Sequence, residues 1–389
     1  METISLAISS VADLMVRYKP WPTNPAGFAF LVHPRNIPDI YRKYPLLRYL
    51  PKSFIKFMLA HFFWPVTVSE ITGHIKLNKR YKDIKGWVIS IPITAEQMLN
   101  DRTLALKFII KASKLAEKKG ATMIGLGALT ASLTRGGLDI LPHVNVGITT
   151  GRIYTSKIIL DTVEAVLGKL DIRRDNIKVA IVGAAGSIGT GCAHILVKRG
   201  FKDLLLVDLP RKQEKLEILS QKLKVLNSDV SVQKEDKIES IKLADVVIVA
   251  TNHPDAIIQS EHLKAGALVI DDAQPSNVNP DIIFDRDDVI ILEGGVVHAP
   301  GIDPHFNFGL KHKEDIFSCL AETIILYVNG YNGSFQVGEI FDFDDDMLRV
   351  MDKHSKRLGF RIGEFQNFHK VYSAKDFEYV RNLLSEKNV

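Results

Sequence analysis

In the run KVAIVGAAGSIGTGCAHIL, residues 178–196, glycines stand at 183, 186 and 189 between an apolar β-branched stretch and a helical pattern. Strand, glycine turn and helix in that order build an anion seat. The turn lets the backbone approach a pyrophosphate, and the helix N-terminus offers free N–H groups and a positive dipole end. The spacing predicts a dinucleotide site formed by Gly183, Ala185, Gly186, Ser187, Ile188 and Gly189, joined by Thr251 and Asn252 from a later strand end. Asp208 lies about 25 positions after Gly183, near where an acidic residue accepts hydrogen bonds from the ribose of NADH. Arg211, three residues on, suits the 2′-phosphate of NADPH instead, so both nicotinamide cofactors stay open.

A second chemistry centres on Cys319 in KEDIFSCLAETIILYV. Cysteine is a good buried residue, and a nucleophilic role needs a thiolate, hence positive charge, a helix terminus or a base nearby. The pattern predicts a helix over residues 313–329, with Cys319 two turns in and His312 on the same face. Cys192, behind the glycine turn, is expected to pack against the sheet. His298 follows the strand end GGVV and is a candidate acid or base, with a structural histidine as the alternative. Thr149, Thr150 and the amides of Gly294 and Gly295 are candidates to polarise a substrate carbonyl. No metal-ligand spacing of Cys and His and no serine-hydrolase elbow occurs.

These residues need elements to hold them. From residue 177 onward, apolar strands alternate with helical stretches (KVAIVG, DLLLVD, VSVQK, ADVVIVAT, ALVIDDA, DVIILEGG), which means βαβ units and a parallel sheet. Upstream, strands are expected at 28–32, 66–76, 87–93 and 122–125, with a helix opening at Asn36. A capping box of Thr94 and Gln97 opens a long helix ending near Gly120. The expected fold is α/β: a Rossmann-like doubly wound domain (171–312) after an N-terminal α/β substrate domain (1–170). A helical segment carrying Cys319 (313–389) is expected to pack back on the first domain.

The chain has 389 residues, 46% of them hydrophobic, and two cysteines, too few for a disulfide framework. Residues 1–120 hold about 19 Lys/Arg against about 8 Asp/Glu, a basic face suited to an acidic partner. The segment YRKYPLLRYLPKSFIKFMLAHFFWPV mixes aromatic, basic and aliphatic residues, as a membrane interface, an acyl channel or a core helix with snorkelling lysines would. No stretch is long and apolar enough to span a bilayer, and residues 1–20 carry no export signal. A cytoplasmic protein is expected, with peripheral membrane contact left open and no nucleic-acid partner.

The motifs FLVHP, SEIT, GWVISIPITAEQML, LGALT, ITTGRIYTS, VAIVGAAGSIGTG, LVIDDAQPSN, ILEGGVV and IFSCLAE, in this order, resemble the long-chain acyl-(acyl-carrier-protein) reductases, which form fatty aldehydes. The resemblance spans nearly the whole chain. It implies a shikimate-dehydrogenase-like arrangement of two domains, NADPH as cofactor, and an acyl thioester of acyl carrier protein or coenzyme A as substrate. It also implies that Cys319 is the acyl-accepting nucleophile. Arg152 and Tyr154 stand where the family has an asparagine and a histidine, and Asp208 replaces a small residue. His298 follows GGVV directly, where the family has an acidic residue first. A longer aromatic-basic segment and an extra stretch from about Phe341 have no counterpart. Two other readings remain: an alcohol/carbonyl oxidoreductase without a covalent step, and a non-catalytic dinucleotide sensor at a membrane surface.

Overall fold

The computed structural model describes residue 13 and residues 27–77, 80–338, 343–367 and 369–387. The export-signal reading of residues 1–20 and the start of the extra stretch at Phe341 lie outside them. Two six-stranded sheets carry the chain. The first is formed by β1 (Gly27–Val32), β2 (Val66–Leu77), β3 (Arg80–Ser90), β4 (Ala121–Leu126), β5 (Gly147–Thr149) and a later strand described below. Strand β1 runs parallel to β3 and β4, β4 runs parallel to β5, and β2 pairs antiparallel with β3. Period-2 alternation sends Ala29 and Leu31 into one core and Phe28 and Phe30 into the other, so both faces are covered. The Arg102–Lys118 helix supplies Phe108, Ile109 and Ala112 to the first core.

The Thr94–Gln97 capping box forms as expected. The helix it opens stops at Asn100, however, and a second begins at Arg102. Asp101 is the cause: its side chain accepts the N–H of Leu104 at 2.9 Å and caps a new helix instead of continuing the old one.

The second sheet holds β6 (Lys178–Val182), β7 (Asp203–Val207), β8 (Ser231–Glu235), β9 (Val246–Val249), β10 (Leu268–Asp271) and β11 (Ile290–Glu293) in the order β11-β10-β9-β6-β7-β8, all parallel. This is the doubly wound order of a dinucleotide-binding sheet, with its switch point between β6 and β9. Strands β6, β7 and β9 are almost entirely buried, as strands covered on both faces must be, whereas edge strand β8 alternates exposed and half-buried residues.

Past the second sheet, β12 (Val296–His298), β13 (Ile302–Asp303), β14 (Asp315–Phe317) and β15 (Arg361–Ile362) follow. Strand β13 returns to pair with β2 on the edge of the first sheet, and β12 pairs antiparallel with β14 and β15. The Ser318–Val328 helix then buries Leu320, Ala321, Ile324 and Ile325 with Phe28 and Phe30, so the chain does fold back onto the first sheet. The architecture is α/β with a Rossmann-like doubly wound sheet beside an N-terminal α/β sheet, in a shikimate-dehydrogenase-like arrangement. Among the described residues, no helix is long and apolar enough to cross a membrane.

Candidate active site

The expected helix over 313–329 is shorter than the apolar pattern suggests: Asp315–Phe317 is extended and pairs with β12, and the helix starts at Ser318. Cys319 is therefore the second residue of the helix rather than two turns in, and His312 lies before the strand, on no shared helix face. This moves Cys319 into the positive end of the helix dipole. A second helix start meets it there. Gly151 caps the Arg152–Leu170 helix with φ +78°, and a Cβ on it would lie 2.3 Å from Cβ of Cys319.

Glu322, one turn beyond Cys319, ties the two helix ends together. Its carboxylate accepts the N–H of Gly151 at 3.1 Å, the N–H of Tyr154 at 2.8 Å and the hydroxyl of Thr149. Ser318 completes the joint, its N–H donating to the Gly295 carbonyl at 2.7 Å and its hydroxyl 2.7 Å from that of Thr155. Burial pushes Glu322 above the ordinary glutamate range, and these donors oppose the shift.

One cavity of about 1760 Å³ joins the regions that carry candidate chemistry. Gly186, Ser187, Ile188, Thr251, Asn252 and Gly294 line one part, Thr150, Arg152, Thr155, Ser318 and Cys319 another, and Ile55, Met58, Leu59, Phe63 and Trp64 a third. The expected cofactor residues divide by role. Gly186, Ser187 and Ile188 face the cavity, while Gly183, with φ +84°, turns the chain beneath them. A Cβ on Gly189 would lie 2.4 Å from the Gly183 carbonyl oxygen, so Gly189 lets the helix seat on the turn. Asp208 accepts the Ala185 N–H at 2.9 Å and the Leu209 N–H at 2.8 Å, which sets the turn's geometry. Arg211 is exposed near it. A helix N-terminus facing a cavity, over a turn admitting no larger residue, fits a dinucleotide.

One expected substrate contact and the candidate acid or base lie elsewhere. Thr149 is fully buried with its hydroxyl engaged by Glu322, and it does not line the cavity; nor does His298, which faces Asp315 and His312. Gly295, at φ +64°, packs its Cα against the side chains of Ser318 and Asp272 and has a structural part. Cys192 is buried in the second sheet's core, as expected.

Sequence reasoning missed an acidic group at the ends of β10 and β11. Asp271 accepts hydrogen bonds from Ser276 Oγ at 2.6 Å and the Asn277 N–H at 3.0 Å, yet burial still pushes it up to about 6. Burial and the charge of Asp271 push Asp272 well above the carboxylate range, and Glu293 is raised by burial first and by Asp271 next. Of the three, Asp272 lines the cavity. The doublet in VIDDAQ at a strand's C-terminal end was the available signal, since ligands of doubly wound sheets sit at that edge. Burial, and then Asp272, push the Cys319 thiol up to about 12, against the pull of the Leu320 N–H.

Residues 166–290 match the family model described as shikimate / quinate 5-dehydrogenase. The chain is 29% identical over 277 residues to the aminotransferase PigE of a Serratia species, spanning 69% of this chain but 32% of that protein, about a third of its length. It is 28% identical over 312 residues to the long-chain acyl-(acyl-carrier-protein) reductase of Synechococcus elongatus, covering 76% of this chain and 85% of that one. Glutamyl-tRNA reductase of Methanococcus aeolicus matches 30% of the chain at 29% identity. Together with the geometry of the glycine turn, these similarities to reductases and to a dehydrogenase family support a nicotinamide-dependent oxidoreductase.

Proposed function

We propose that this protein reduces a long-chain fatty acyl thioester, carried by acyl carrier protein or coenzyme A, to the fatty aldehyde through an acyl-Cys319 intermediate. The observation that carries the reading is Cys319 at the start of a helix, in one cavity with both the glycine-turn helix and an apolar wall of Ile55, Met58, Leu59, Phe63 and Trp64. A buried thiol is a poor nucleophile at rest, so its proton leaves as it attacks. Sulfur forms a bond to the thioester carbonyl, the pantetheine sulfur departs, and the proton lost by Cys319 ends on that leaving thiol. The Leu320 N–H at the helix end favours negative charge at the sulfur during attack.

The nicotinamide cofactor, when bound, supplies hydride to the acyl-cysteine carbonyl carbon. Gly186, Ser187 and Ile188 would hold its pyrophosphate, with Thr251 and Asn252 beside them. Asp272, whose pKa burial raises, donates a proton to the carbonyl oxygen and regains one from solvent, giving a thiohemiacetal. Breaking its C–S bond returns the hydroxyl proton to Cys319 and releases the aldehyde. Apolar walls keep water from the acyl-enzyme. The basic first third of the chain suits an acidic carrier. Exposed Leu46, Tyr49, Phe57 and Phe62 give the same end an apolar rim suited to peripheral contact with a bilayer. The high thiol pKa favours one rival, an alcohol/carbonyl oxidoreductase in which Cys319 takes no part.

Palmitoyl-coenzyme A added without cofactor separates the two by intact mass. One palmitoyl adduct is expected on the wild type and on Cys192→Ala, and none on Cys319→Ala. An unmodified wild type, or an adduct that survives Cys319→Ala, overturns the covalent step.

A further inference from the structure

Outside the cavity, three side chains from two segments turn toward one point. His298 ends β12, Asp315 opens the antiparallel partner β14, and His312 lies three residues before Asp315. One atom from each, taken together, lies within 4.8 Å of the other two. Oδ1 of Asp315 is 3.3 Å from Nδ1 of His298 and 3.8 Å from Nδ1 of His312. Tetrahedral ligands with metal–ligand bonds of about 2.1 Å stand roughly 3.4 Å apart, so both separations fit a shared ion with little adjustment.

The surrounding contacts are those of a ligand set. The Asp315 side chain is fully buried, and its other oxygen, Oδ2, accepts Nε2–H of Gln366 at 2.9 Å and the Glu364 N–H at 3.3 Å. Oδ1 is thereby aimed at the two imidazoles. Nδ1 of His312 accepts the Glu314 N–H at 3.2 Å, so this nitrogen is unprotonated, and its single lone pair must turn from that N–H to the ion when the site fills. The far nitrogen of His298, Nε2, faces Oε2 of Glu314 at 3.7 Å, and Glu314 is itself fixed by the Gly301 N–H at 2.9 Å on Oε1. A carboxylate behind the distal nitrogen of a ligating histidine fixes its tautomer and raises its basicity.

We propose that His298, His312 and Asp315 bind one divalent transition-metal ion of the zinc type, with water completing the coordination on the exposed side of His312. Two imidazoles and a carboxylate select this class over calcium or magnesium, which take oxygen ligands. The site is independent of the acyl-thioester reading. It is structural in position: residues 304–314 carry Phe306 and Phe308 into the cavity wall, and Asp315 begins the strand that leads to Cys319. An ion here fastens both to β12.

Full-length protein stripped with EDTA and desalted is titrated with zinc against a chromophoric chelator, and with cobalt by visible absorption. One equivalent of zinc, an intense four-coordinate cobalt band and a raised urea midpoint are expected for the wild type and for Cys319→Ala. His312→Gln, at a side chain 41% exposed, removes a ligand without emptying a core. At least a hundredfold weaker zinc binding is expected there, with the zinc-free urea midpoint unchanged. His298→Gln provides a second, independent loss. Absence of a bound equivalent in the wild type, or binding that both histidine variants retain, overturns the site.

Discussion

Gly151→Ala puts the junction of the two helix starts under direct test. With φ at +78°, any L side chain at 151 is strained by roughly 1–2 kcal/mol. The added methyl would also lie 2.3 Å from Cβ and 2.5 Å from Cα of Cys319. Ordinary carbon contacts are about 3.5–4 Å, so the two helix ends must part by roughly 1 Å. Overpacking of that kind costs about 1–3 kcal/mol, for a total near 2–5 kcal/mol. At a urea dependence of about 3 kcal/mol per molar, the midpoint falls by roughly 1 M. Gly168 supplies the control within the same helix: it sits inside Arg152–Leu170 with nothing within 4 Å of a new Cβ, so Gly168→Ala is expected to stabilise by about 0.5–1 kcal/mol.

The functional readout is the rate of palmitoyl adduct formation in protein still folded below the urea transition. A displacement near 1 Å at a reacting atom lowers rates by about a hundredfold. Gly151→Ala is therefore expected to acylate about a hundred times more slowly, and Gly168→Ala at the wild-type rate. A Gly151→Ala protein with wild-type midpoint and acylation rate would refute the apposition of the two helix ends.

A thiol held near 12 reports on itself through alkylation. Iodoacetamide should modify Cys319 roughly a thousandfold more slowly at pH 7 than a free cysteine of pKa near 8.5, with the rate rising about tenfold per pH unit through pH 10; a plateau near pH 8.5 sinks the assignment. The sign of the linkage follows from the raised value: the unfolded chain loses this proton first, so the thiol's contribution to stability is intact below about pH 8.5 and falls as pH rises through that range toward the folded value. Asp208→Ala removes a carboxylate three residues before Arg211 and its hydrogen bonds from the Ala185 and Leu209 N–H groups. The ratio of NADPH- to NADH-dependent turnover is expected to rise at least tenfold, and an unchanged ratio would mean that Asp208 shapes the turn without choosing the cofactor.

The second sheet was legible because its strands other than edge strand β8 are largely apolar runs between helical patterns, and burial on both faces produces that text. The glycine turn was legible for the same kind of reason: close backbone approach excludes other residues at Gly189. Boundaries set by single polar side chains were harder to read. Asp101 ends one helix by capping the next, and apolar periodicity carries no mark of that exchange. The start of the Cys319 helix was misread because its extended lead-in pairs with β12, a partner 17 or more residues back that no local pattern reveals. His298 and His312 failed the test of metal-ligand spacing for a like reason, since a strand pairing brings them together.

The correction at Cys319 changes the chemistry more than the geometry. Two turns into a helix, a cysteine has its neighbours' N–H groups already engaged and nothing to favour a thiolate. As the second residue it stands over N–H groups with no carbonyl four positions back in the helix. The same shift puts Glu322 one turn below it, beneath the start of the Arg152–Leu170 helix, where its carboxylate holds the N–H groups of Gly151 and Tyr154. The glutamate in SCLAE thus works as a clasp between helices, setting where the sulfur stands relative to the Thr150–Arg152 wall of the cavity. Thr149, expected at a substrate carbonyl, is drawn into the clasp instead.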